Sequence, residues 1–168
     1  DLIADTDFAP AVEEALAEAG AAVAAIAEAG AEPTFANTIE ALELADARLG
    51  QVLSAFWALA GADSNPAREA SQREFAPLLS AYGSEVSSNA ALFARIEALW
   101  ENREALDLTP EQARVLMLTR RGFVRQGAQL TGDAAERLKA VKSRLAVLGT
   151  QCTQNLLPHQ RDWTRHPP

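Results

Sequence analysis

A chain of 168 residues is long enough for one domain, which would bury about 70% of its unfolded surface. Its residues are 48% apolar, many of them alanine, and β-branched residues are sparse, a composition that favours helix. The formal charge of -8 argues against a surface for nucleic acid or anionic membranes, and the single Cys152 excludes an internal disulfide.

No apolar run approaches the roughly 20 residues of a membrane span. "DLIADTDFAP" at the N-terminus is acidic, without the basic and apolar regions of a signal peptide. It does not begin with Met, so the expectation is a chain that starts inside a longer gene product, cytoplasmic by default.

Val12, Leu16, Ala19, Val23 and Ile26 recur at steps of four and three, one face of a first helix. Asp7 is its expected cap and Gly30 its expected end. Pro33 then forbids continuation. Thr34 or Asn37 caps a second helix, with Glu40 the capping-box partner of Asn37. Ile39, Leu42, Leu49, Leu53, Phe56 and Trp57 supply its apolar face, and Gly61, Asp63 and Asn65 end it. Asn65-Pro66 is a cap followed by proline at the first helical position. That third helix carries Phe75, Leu78, Leu79, Tyr82 and Val86, with Pro77 expected to bend it. Asn89 caps a short fourth helix bearing Leu92, Phe93, Ile96, Leu99 and Trp100.

Thr109-Pro110-Glu111-Gln112 combines cap, proline and a glutamine that reaches back, the strongest local signal in the chain. Val115, Leu116, Leu118 and Val124 follow, to an end near Gly127. Asp133 opens a last helix with Leu138, Val141, Leu145, Leu148 and Cys152 in the same rhythm. The reading is an all-α bundle of about six helices, antiparallel-leaning, with no sheet. The helical part covers 1–157; "PHQRDWTRHPP", 158–168, is an irregular tail.

Four segments, in order, resemble one family: "DFAPAVEEAL" (Asp7 to Leu16), "PTFANTIEALE" (Pro33 to Glu43), "EFAPLLSAYGSEVSSNAALFARIEALW" (Glu74 to Trp100), and "LTPEQARVL" with "RGFVRQGAQL" (Leu108 to Leu130). They resemble the N-terminal region of the oligopeptidase A, thimet oligopeptidase and peptidyl-dipeptidase family of zinc metallopeptidases. The resemblance runs from about Asp1 to Leu157. It departs at Cys152, where the family usually has a bulky aromatic, and past Leu157, where the family continues into further helices and a catalytic domain. The family's chemistry resides in a His-Glu-x-x-His helix, in which two histidines bind zinc and the glutamate activates water. The 168 residues contain no such motif. The resemblance therefore implies the non-catalytic helical lobe of a peptidase, one wall of a deep channel that restricts substrates to short peptides. Zinc belongs to the parent family, and no cofactor is expected in this chain.

His159 and His166 stand seven apart in the tail without a nearby glutamate, so they read as an exposed tail and not as metal ligands. Cys152 reads as a small core residue, and Trp57 and Trp100 as core. Glu13, Glu14, Glu18 and Glu28 lie opposite the apolar face of the first helix, which makes them a solvated face and not a carboxylate metal site. The one basic cluster is Arg114, Arg120, Arg121 and Arg125. Arg120, Arg121, Phe123 and Arg125 form the candidate channel or interdomain surface, because arginine pairs well with carboxylate; ordinary pairing with the chain's own acid is the alternative.

The expected partners are a catalytic domain of the same polypeptide and short peptides in the parent, with no nucleic acid and no membrane. A free-standing helical adaptor or scaffold is the competing reading. An apolar surface near Leu148, Leu156 and Leu157, and at Phe123–Val124, leads to a further expectation of a two-fold homodimer through the C-terminal helix.

Overall fold

The computed structural model describes residues 3–63, 65–138, 140–142, 144–145 and 148. The chain divides into two compact units, 1–128 and 129–168. Among its described residues the first holds six α-helices: α1 (Phe8–Ala27), α2 (Ala41–Ala45), α3 (Ala47–Ala62), α4 (Pro66–Ser88), α5 (Ala90–Glu101) and α6 (Pro110–Gln126). No strand occurs among the described residues. In the second unit residues 132–138 are helical, where the last helix was expected. Cys152, Leu156, Leu157, His159, Trp163 and His166 lie outside the described residues.

Local chemistry sets the starts of α4, α5 and α6. Asn65 and Asn89 accept hydrogen bonds from the backbone N–H of Arg68 and Leu92, both at 2.9 Å, and Pro66 occupies the first helical position of α4. At α6, Thr109 Oγ1 accepts from Gln112 N at 3.2 Å and Gln112 Oε1 accepts from Thr109 N at 3.0 Å, the reciprocal box expected from the sequence. Gly127 ends α6 at φ 97°. Its N–H reaches Val124 O and that of Ala128 reaches Phe123 O, a Schellman closure.

Three boundaries differ from the sequence expectations. Asp7 does not cap α1 through its side chain; its carboxylate accepts from Ala4 N in the 3-10 turn Asp5–Asp7 that leads in. Helix α1 stops at Ala27, ahead of Gly30. The second predicted helix is interrupted: a π-helical turn, Phe35–Glu40, opens it and Asp46 separates α2 from α3. The Tyr82 hydroxyl on α4 donates to Asp46 at that break. Burial first, and then the hydrogen bond to Asp46, push the Tyr82 pKa well above that of an ordinary phenol.

Helix α1 is the spine of the first unit. Phe8 and Val12, near its start, join Phe56, Ala60 and Phe75 in one core. Val23 and Ile26, near its end, join Ile39, Leu92, Phe93, Ile96, Leu99, Leu116 and Phe123 in another. Ala15 and Ala19 are buried between them. Alanine here lets neighbouring helices come close where longer side chains would hold them apart. Phe56 is the aromatic centre of the first core, edge-to-face with Phe8 at 5.2 Å and Phe75 at 5.0 Å.

Candidate functional site

The stretch after Pro33 is held by a buried arginine. Arg95, on α5, is 8% exposed. Its Nη1 donates to the carbonyls of Ala29 and Ala31, both at 2.9 Å, and its Nη2 to Asn37 Oδ1 at 3.0 Å and Thr38 Oγ1 at 3.3 Å. Asn37 Oδ1 also accepts from Thr34 N and the Thr38 hydroxyl, each at 2.8 Å. Thr34 is therefore the cap and Asn37 its box partner; Glu40 takes no part in the box. Arg95 has no carboxylate within ion-pair distance among the described residues, so neutral oxygens carry its charge. Every one of these acceptors lies more than 55 positions away, and for that reason periodicity alone marks Arg95 only as a charged residue on a helix.

Helix α6 presents the sequence-predicted surface residues differently from one another. Arg120 is turned inward and spent: Nε and Nη2 hold both oxygens of Glu97, at 2.9 and 2.7 Å, and the guanidinium lies 5.0 Å from the centre of the Trp100 ring. The hydrogen bonds to Glu97 push its pKa up further. Arg103 also stacks on Trp100, at 4.4 Å, and Trp100 itself packs half-buried on the core.

Phe123 corrects an expectation. It is buried beside Leu116, seven positions earlier on the same helix face, and stacks on Phe93 at 6.1 Å, so its ring belongs to the core and offers no surface. Val124 packs half-buried on that core. Arg121 and Arg125 are exposed and have no ion-pair partner among the described residues. With Arg114 and Leu118 they make one stripe at steps of four, three and four, a continuous exposed basic face on α6.

Elsewhere the acidic face of α1 is solvated, as expected. Glu13, Glu14, Glu18 and Glu28 are exposed, and Glu14 and Glu18 pair with Arg48 at 3.2 and 3.4 Å. Trp57 is 43% exposed and so is not core; it leans edge-to-face on Phe56 from outside. Leu148 is exposed. No helix among the described residues is long and apolar enough to cross a membrane. No group of three or more His, Cys, Asp or Glu side chains among them is placed to hold a metal ion.

No protein-family model matches the chain. Individual relatives do. It is 35% identical over 157 residues to a dipeptidyl carboxypeptidase of Salmonella typhimurium, a match covering 94% of this chain and 23% of the relative. An oligopeptidase A of the same organism is 28% identical over 156 residues, covering 93% of this chain and 23% of the relative. A thimet-like oligopeptidase of Dictyostelium discoideum is 28% identical over 126 residues, covering 73% and 19%. The chain thus spans about a quarter of the length of the curated relatives it matches. The helices described above correspond to the N-terminal region of the family that includes dipeptidyl carboxypeptidase, oligopeptidase A and thimet-like oligopeptidase.

Proposed function

We propose that this chain is the non-catalytic N-terminal lobe of a zinc-dependent oligopeptidase, one wall of a channel that admits short peptides. Hydrolysis falls to another part of the same polypeptide, which holds the zinc. The reading includes a cytoplasmic setting. It is carried by one observation: the 157-residue match takes in nearly all of this chain and under a quarter of a dipeptidyl carboxypeptidase. The basic stripe of Arg114, Arg121 and Arg125 supports it, since such a face suits peptide carboxylates or an acidic surface of the catalytic part.

Photo-crosslinking tests the wall directly. A short peptide carrying a photoreactive side chain is bound to the protein encoded by the full reading frame, and the labelled residues are mapped. The lobe reading predicts labels within residues 1–128 that unlabelled short peptide competes away. Labels confined to the rest of the polypeptide would contradict it.

A further inference from the structure

A groove runs between the Phe35–Leu44 segment and the first turns of α6, and it encloses about 500 Å³. That volume lies inside the range of clefts that hold small ligands, roughly 300–1,000 Å³. Phe35, Ile39 and Val115 give it an apolar lining, and Leu44, 71% exposed, stands at its lip. Beside the neutral Thr109 and Gln112, the charged lining is of one sign. Glu40 and Glu43 come from one wall and Glu111 from the other, all exposed, and none has a cation partner among the described residues. Phosphates and other anions are repelled by such a rim. The occupant it complements carries positive charge beside apolar side chains.

We propose that this groove is a docking subsite for cationic oligopeptides, in which an aromatic or aliphatic side chain enters between Phe35 and Val115 and flanking arginines or lysines meet Glu40, Glu43 and Glu111. The choice of a peptide over a folded partner rests on the lobe reading and on the groove's modest volume. The subsite adjoins the basic stripe of α6 at Arg114, three positions from Glu111, so the same helix offers opposite charges side by side.

Fluorescence anisotropy on the 168-residue chain provides the test, with a labelled pentapeptide alternating arginine and phenylalanine as probe. Binding is expected, weakening as salt rises. An otherwise identical peptide with glutamate for arginine is expected not to bind. Glu40→Gln with Glu111→Gln keeps the shape of two exposed side chains and should weaken binding about two- to twentyfold, at up to roughly fivefold for each exposed charge pair. Glu69→Gln, on α4, should leave it unchanged, and circular dichroism should show the same helicity in every variant. The proposal is overturned if the cationic probe does not bind, if the acidic peptide binds equally well, or if the double variant binds as tightly as the parent. It is also overturned if sedimentation shows a dimer that the probe displaces, which would make a second copy the occupant. A failed probe beside successful lobe crosslinking would reject the groove alone; a bound probe with no lobe crosslinks would reject the channel wall alone.

Discussion

Asn37 Oδ1 serves three donors at once, and Arg95 supplies one of them from 58 positions away. Removing Arg95 strands the carbonyls of Ala29 and Ala31 and takes one donor each from Asn37 and Thr38. Arg95→Ala should cost about 3 kcal/mol or more, and Asn37→Ala about 2 kcal/mol, as urea unfolding would read them. The double variant should fall short of their sum by about 1 kcal/mol, because both changes dismantle one network. Full additivity would show that the two residues act separately.

Asp5 offers a second residue-scale check. Hydrogen bonds from Asn65 and from Arg68 hold its carboxyl below the ordinary value of 3.8. A depressed folded pKa stabilises the protein above the unfolded pKa, and that contribution disappears as pH falls through the folded one. Asp5→Asn should therefore lower the melting temperature at pH 7, and the gap between the two proteins should begin to close as pH falls below about 4. A constant gap across that window would place the effect in packing instead of charge.

At the scale of elements, helix beginnings were legible in the sequence because their causes are local. Asn65, Asn89 and Thr109 each act within three residues, so the sequence shows both partners side by side. What lay further away was not legible. The wide turn at Phe35–Glu40 and the early stop of α1 both border the carbonyls and side chains that Arg95 gathers. Trp57 failed for a geometric reason. Neighbouring residues on a helix point about 100° apart, so Phe56 and Trp57 cannot share the centre of one face. Phe56 continues the series Leu49, Leu53, Phe56, Ala60 into the core, and Trp57 is left at its edge. In the candidate site the cluster of arginines was visible, but its division into a buried-side pair at Arg120 and an exposed stripe at Arg121 and Arg125 was not. Glu97, which decides it, stands 23 positions from Arg120.

Glycines give elements a signed prediction. Gly83 lies within α4 and a Cβ there would meet nothing within 4 Å. Gly83→Ala should stabilise by about 0.5–1 kcal/mol, since alanine loses less freedom in a helix. Gly127→Ala should destabilise by about 1–2 kcal/mol, because φ 97° lies in the left-handed region that a Cβ disfavours. Thermal unfolding of the two variants should move in opposite directions. A shift of the same sign in both would contradict the assignment of Gly127 as the closing residue of α6.

For the whole molecule, what is built is clearest in residues 1–128, where two cores are strung along α1. The 168 residues carry no His-Glu-x-x-His. The measurement that bears most directly on this account is hydrolysis of a short internally quenched peptide. It compares the purified 168-residue chain with the protein of the full reading frame, each with zinc and with a chelator. The account predicts no turnover by the chain under either condition and chelator-sensitive turnover by the full protein. Chelator-sensitive cleavage by the chain alone, or a full protein that cleaves no peptide, would contradict it.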